Sequence, residues 1–270
     1  MTDSLNSGAS ISHYTILDSS GIKHVEGGVV SETMLAIFVN GQELTHLMCS
    51  PIDPVPLALG FLFGEGVIDS YEEVGHVQTN LIQSLVDVML TRPDFTRPHR
   101  EILASGCGGG VAFQILSESY PPVNSDLRVS PETLFARMRD LHAASDLYRE
   151  VRGIHTAVLT DAHRMLLSAE DIGRHNAVDR IVGQAMLKGI STSGHILLTS
   201  GRVSSEMLSK ARRMGVAIVA SRTSPTSMSI RLAKAWNICL VGYMRHNSLR
   251  IYANPWRIKT AESSAKRDLL

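Results

Sequence analysis

The sequence predicts an α/β protein, with a layered sheet in its C-terminal half and a smaller α+β part in front. Three observations carry this. From His195 onward, apolar runs alternate strand, helix, strand, helix, strand with short connections, the pattern of parallel βαβ units. Ahead of them PPVNSDLRVS (Pro121–Ser130) reads as a linker. Earlier still, two apolar runs flank Asn40–Gly41, a hairpin turn signal, and lead to one dense apolar helix. These breaks divide the chain into a disordered tail at 1–20, an α+β domain at 21–125, an α/β domain at 126–260 and a short tail at 261–270.

In chain order, Met1 to about Ile11 is rich in Ser, Asn and Gly and lacks apolar periodicity. His13–Leu17 and Met34–Val39 are apolar runs, and Glu43–Cys49 is the return strand of the hairpin. Asp53–Phe63, with Pro56 near its start, predicts a buried helix stopping near Gly64. Val74–Thr79 and Leu85–Leu90 predict a second strand pair. Arg92–Arg100 is a loop running into the glycine-rich stretch around Cys107. After the linker, Pro131 opens an amphipathic helix with Leu134, Met138 and Leu141 on one face. Thr156–Thr160 and Met165–Ser168 form a hairpin feeding a helix that starts near Arg174. The last elements are His195–Thr199 (strand), Ser204–Met214 (helix), Val216–Ala220 (strand), Pro225–Trp236 (helix) and Ile238–Tyr243 (strand).

Composition excludes several function classes. The chain has 270 residues, 44% hydrophobic and 19% charged, and a formal net charge of +0, so no global field draws it to nucleic acid or an anionic membrane. Three cysteines, Cys49, Cys107 and Cys239, are too few for a disulfide framework and fit a reducing compartment. The polar N-terminus is no secretory signal, and no apolar run approaches the roughly 20 residues of a membrane span. The expectation is a cytoplasmic protein that binds neither membrane nor nucleic acid.

In open parallel sheets ligands collect at the carboxyl ends of the strands. Here those loops read TSGRVSS (Thr199–Ser205), SRTSPTS (Ser221–Ser227) and YMRHNS (Tyr243–Ser248). Each carries an arginine (Arg202, Arg222, Arg245), and the first two lead into helix N-termini, which favour anions. Ser224 before Pro225 predicts an N-cap with proline at the first helical position. A phosphate cradle fits this rim, although such hydroxyls also cap helices without binding anything. In LASGCGGGVAF (Leu103–Phe113), Cys107 has glycine on both sides. Glycines leave the sulfur unshielded and let backbone N–H groups bend towards an anion, favouring a reactive thiol; Cys49 and Cys239 suit buried hydrophobes. In AEDIGRHNAVDRIVG (Ala169–Gly183), Ala177, Val178, Ile181, Val182, Ala185 and Met186 form a core stripe, while His175 and Asp179, four apart, share another face and by themselves read as a structural pair at the helix start. Asp171, Arg174 and His175 crowd the helix mouth, which suggests a polar site. A deaminase-type zinc centre fails on ligand count: His155-Thr156-Ala157 lacks the glutamate, and the position three after Cys107 is Gly110.

These pieces resemble the formate dehydrogenase accessory sulfurtransferase family, often called FdhD, from about Glu32 to Arg257. EDIGRHNAVDRIVG (Glu170–Gly183) is similar to that family's "EDVGRHNAVDK" signature. Glu32–Ile68 is similar to its strand–turn–strand and "ALGFL…EGII" helix, and Ser200–Arg202, Ser205–Met207, Ser224–Ser227 and Leu240–Arg245 follow in the family's order. The resemblance implies a cytidine-deaminase-like layered core without zinc, and homodimers. It implies a persulfide carrier that takes sulfur from a cysteine desulfurase and passes it to a molybdenum bis(molybdopterin guanine dinucleotide) cofactor. That cofactor is bound as substrate, with no tightly bound metal of the protein's own, and the formate dehydrogenase catalytic subunit is the recipient. Carried over by motif, Cys107 is the persulfide-forming residue, and Tyr243, Met244, Arg245, His246, Asn247 and Ser248 hold the guanine dinucleotide part, with Arg202 and Arg222 on the same rim. Two departures stand out. Gly110 replaces a second cysteine common in the family, removing a resolving thiol, and YMRHNS lacks the Pro-Gly of some relatives. The missing thiol leaves open a non-catalytic chaperone that delivers the cofactor without carrying sulfur. A nucleotide-processing enzyme of deaminase ancestry is a third reading, which a zinc assay would test.

Overall fold

The computed structural model describes residues 8–97, 117, 118 and 120–259. Three sheets organise them. A two-stranded hairpin pairs β1 (Ala9–Asp18) with β2 (Gly21–Val30), antiparallel. A four-stranded sheet has the order β4 (Gln42–Cys49), β3 (Thr33–Val39), β6 (Leu85–Leu90), β5 (Val74–Asn80), with β3 and β6 parallel and the outer pairs antiparallel. The six-stranded sheet has the order β12 (Arg250–Ala253), β11 (Cys239–Gly242), β10 (Ile218–Ser221), β9 (Ile196–Thr199), β7 (His155–Thr160), β8 (Met165–Asp171). Strands β9, β10 and β11 are parallel, whereas β7 and β12 run antiparallel to their neighbours.

The helices are α1 (Pro54–Gly64), α2 (Pro131–Ala143), α3 (Asp146–Val151), α4 (Arg174–Lys188), α5 (Ser205–Arg213) and α6 (Ser227–Ala235). Alternation decides which face each strand buries. On one side of the large sheet, Leu159, Leu197, Val219 and Leu240 share a core with Ala177 and Ile181 of α4, Leu208 of α5 and Leu232 of α6. On the other, Val158, Leu198, Ile218 and Val241 meet Leu134, Met138 and Leu141 of α2. The domain is therefore layered, helix on sheet on helix. A separate core joins α1 to the four-stranded sheet through Leu57, Leu59 and Leu62 against Ile37, Val39, Val86 and Val88.

Helix α1 is apolar nearly all round because it is buried on both sides. Its second neighbour is α4, and two glycines set that contact. A Cβ at Gly60 would stand 1.7 Å from the Asp179 carbonyl oxygen, and one at Gly183 would stand 1.9 Å from that of Pro56. An ion network seals the same junction. Buried Arg180 meets Asp171 at 2.8 Å and donates to the carbonyls of Ser50, at 2.9 Å, and Asp53, at 2.7 Å.

Three sequence expectations need correcting. The tail expected at 1–20 is ordered from Ala9 as strand β1; its register pairs Tyr14 with Val25, and the Tyr14 side chain reaches diagonally to Gly27, where a Cβ would stand 2.8 Å from the tyrosine hydroxyl. Helix α6 starts at Ser227 and is capped by Thr226, whose hydroxyl accepts from the Ser229 N–H at 3.2 Å. The segment at Ser224–Pro225 is extended instead, because Val203 bridges to Pro225 and donates its N–H to Ser224. Helix α3 and edge strand β12 have no counterpart in the sequence reading. Residues 1–7 and 260–270, including the expected C-terminal tail, lie outside the described residues.

Candidate functional site

The loops after β9, β10 and β11 come together at one end of the large sheet, laced by short hydrogen bonds. The Ser221 hydroxyl donates to the Gly201 carbonyl at 2.7 Å and accepts from the Thr223 N–H at 2.9 Å. The N–H of Tyr243 reaches the Thr223 carbonyl at 3.0 Å, that of Met244 reaches Ser221 at 3.0 Å, and that of Arg245 closes a turn onto Ser248 at 2.9 Å. Glycine at position 242 permits this approach, since a Cβ there would stand 2.9 Å from the Thr223 oxygen. The Ser221 hydroxyl therefore shapes the loops, whereas Ser200 and Thr223 face the ligand space.

Between this rim and α2 lies a cavity of about 450 Å³, within the usual range for small-ligand sites. Phe135, Leu141, Tyr148, Ile154 and Met244 supply apolar and aromatic wall. Arg139, Arg222 and Arg245, with His142, His155 and His246, supply nitrogen donors, and among the described residues no carboxylate lines it. Arg222 Nη1 lies 3.5 Å from His142 Nδ1. Burial, then the charges of Arg222 and His246, hold His142 below the usual histidine range. Burial and Arg174 lower His155 likewise, against a smaller opposing pull from Asp171. Such a site, cationic and with His142 and His155 biased towards their neutral forms, suits an anionic group attached to a flat or apolar body.

Of the residues expected on sequence grounds, Arg222, Met244, Arg245 and His246 line the cavity. Arg202, Asn247 and Ser248 are exposed on the rim outside it, and Tyr243, with φ 49°, carries Arg250 over its ring at 4.3 Å. Sequence pattern does not single out Arg139 and His142, because α2 reads as a plain amphipathic helix, nor Tyr148, because the short helix α3 that carries it has no clear sequence signal, and His155 enters only through a zinc motif that is incomplete. Cys107 and Gly110 lie outside the described residues. Burial raises Cys49 to about 11 and Cys239 to about 12, which makes both thiols inert. The helix-mouth cluster resolves into structure: Asp171 accepts from the N–H groups of Ser50 and Gly173, from Asn176 and from Arg180. Asp179 pairs with Lys210, and His175 lies 3.6 Å from Glu206. Among the described residues no group of three or more His, Cys, Asp or Glu side chains is placed to hold a metal ion.

A family model described as FdhD/NarQ matches residues 30–259. The chain belongs to the FdhD/NarQ family. The sulfur carrier protein FdhD of Bacillus subtilis is 35% identical over 88% of this chain and 93% of its own. That of Staphylococcus haemolyticus is 34% identical over 86% and 90%. A solved structure, described as a formate dehydrogenase accessory protein from Desulfotalea psychrophila, superposes with a TM-score of 0.78 at 27% identity, covering 93% of this chain and 99% of that one. The match spans both cores and the cavity-lining loops of this family member. No helix among its described residues is long and apolar enough to cross a membrane.

Proposed function

We propose that this FdhD/NarQ member is a sulfur carrier needed for formate dehydrogenase activity, working on a molybdenum cofactor that bears guanine nucleotides. The observation that supports it most is the cavity: among the described residues, three guanidiniums and no carboxylate beside aromatic wall, at the carboxyl ends of β9, β10 and β11. A nucleotide needs that combination, with phosphates on the arginines and a base on Phe135 or Tyr148. The relatives' names, sulfur carrier protein and formate dehydrogenase accessory protein, supply the chemistry to which the nucleotide is attached.

In this reading the Cys107 thiolate attacks the terminal sulfur of a persulfide on a cysteine desulfurase. A new S–S bond forms at Cys107, the old one breaks, and the desulfurase leaves as thiolate. The cofactor, a molybdenum bis(molybdopterin guanine dinucleotide), is the bound substrate, held by its phosphates at Arg222 and Arg245. Transfer of the terminal sulfur to its molybdenum breaks the S–S bond and returns the bonding pair to Cys107 as thiolate, so the two electrons that reduce this sulfane sulfur to sulfide come from the reduced metal or from an added reductant. One thiol suffices for carriage, so Gly110 is compatible with it. A homodimer in the cytoplasm, serving the formate dehydrogenase catalytic subunit, completes the proposal.

Mass spectrometry after incubation with desulfurase and cysteine tests it. Wild type gains one sulfur atom and Cys107→Ala gains none; equal gain in both would refute carriage at Cys107. The rival reading, cofactor delivery without sulfur carriage, rests on the absent second cysteine. It requires Cys107→Ala to restore formate dehydrogenase activity in cells lacking the native protein.

A further inference from the structure

His155 opens β7 and is in register with Asp171 on β8. Its ring lines the cavity on the side of Ile154, Thr156 and Ser200, and its Nδ1 lies 3.3 Å from the Ser200 hydroxyl oxygen. That oxygen already accepts from the Thr156 N–H at 3.0 Å. A serine hydroxyl has one proton to give, and Nδ1 lies within its reach. Donation from Ser200 to Nδ1 would place the imidazole proton on Nε2. Among the described residues Nε2 has no hydrogen-bond partner. The arrangement is held tightly: a Cβ at Gly201 would stand 3.3 Å from Nδ1 and 2.7 Å from the Arg174 Cβ.

We propose that His155 is a specificity-determining residue, fixed by Ser200 as the Nε2–H tautomer and donating through Nε2 to an acceptor on the base of the bound nucleotide. The cavity divides by charge to support this. Arg222, His142 and His246 form one electrostatic cluster, which suits phosphates. His155 sits with hydroxyls, and burial and Arg174 keep its ring uncharged, so it offers a directional donor and no net charge. A fixed neutral donor discriminates by what it meets: a carbonyl or ring nitrogen accepts, whereas an amino group in the same place leaves both donors unpaired. Ser200 acts through His155 and is a positioning residue.

The inference rests on the nucleotide reading of the cavity, and the test separates the two. Guanosine diphosphate and inorganic pyrophosphate are titrated into the full chain. His155→Phe keeps the ring volume and lacks the donor; it weakens guanosine diphosphate about tenfold or more and leaves pyrophosphate binding unchanged. Equal guanosine diphosphate affinity in wild type and variant overturns the role of His155 while the cavity reading stands. Parallel loss of pyrophosphate binding also overturns it, since the residue then serves phosphates or folding. Failure of wild type to bind guanosine diphosphate removes the reading beneath. In wild type alone, ¹⁵N NMR of His155 gives an independent readout. An unprotonated Nδ1 in the free protein and a displaced Nε2 signal on adding guanosine diphosphate support the proposal. A protonated Nδ1, or an Nε2 that does not move, contradicts it.

Discussion

Arginine does opposite work in two parts of this molecule. At the junction of α1 and α4, Arg180 is buried, and its guanidinium is consumed by Asp171 and by carbonyls at positions 50, 52 and 53. At the cavity, Arg139, Arg222 and Arg245 are exposed, with no carboxylate among the described lining residues. Sequence places binding in the strand-end loops and leaves the signature segment Glu170–Gly183 between a structural pair and a polar site. Its charges prove to hold the two cores together, and the binding capacity lies in loops whose sequence was less distinctive. A charge whose partners are complete stabilises; one whose partners are missing is available to a ligand.

The sharpest way to break this contrast is at the junction. Arg180→Met leaves the Asp171 carboxylate buried without its cation, and unfolding in denaturant should show a loss of about 3–5 kcal/mol. Next, Gly183→Ala forces α4 away from the Pro56 carbonyl and should cost about 1–3 kcal/mol or more in the same measurement; wild-type stability would show that the helices tolerate separation. At the cavity the effect should fall on binding. Arg222→Ala or Arg245→Ala weakens guanosine diphosphate about tenfold by calorimetry, with stability changed by no more than about 0.5 kcal/mol.

Acid provides a subtler comparison. The unfolded chain titrates its histidines near about 6.5, whereas folded His142 and His155 lie lower. Below that pH the unfolded state binds more protons, so stability contributed by the neutral rings is present above it and lost as pH falls through the folded values. His142→Gln should reduce the slope of stability against pH in this window. An anion in the cavity favours the charged rings, so binding should take up protons at mildly acid pH. The smallest effect belongs to the exposed pair Arg149–Asp146; Asp146→Asn should change stability by no more than about 0.5 kcal/mol.

Legibility followed burial. Strands β3, β4, β6, β7, β9, β10 and β11, and helices α1, α2 and α4, each bury a face, so period and apolar content disclosed them to within a residue or two. The β1–β2 hairpin buries almost nothing: Ser10, His13, Thr15 and Leu17 are exposed, so the short apolar run at His13–Leu17 discloses only part of β1 and nothing discloses β2. The strand-end rim was legible because sheet topology predicts where loops converge. The opposite wall was not, because Arg139 and His142 lie on the flank of α2 away from its core stripe, and only the fold brings that flank to the rim. His155 carries one sequence signal, its place at the edge of a strand expected at Thr156–Thr160, and the residues after it lack the glutamate of a zinc motif.

The account stands or falls on where a guanine nucleotide docks. Hydrogen exchange of the full chain, with and without guanosine diphosphate, measures this directly. Slowed exchange should appear in Tyr243–Ser248, in Arg222–Thr223 and at the end of α2 around His142, with no change at Ser50–Asp53. Protection centred on the Arg180 junction, or none at the strand ends, would contradict it.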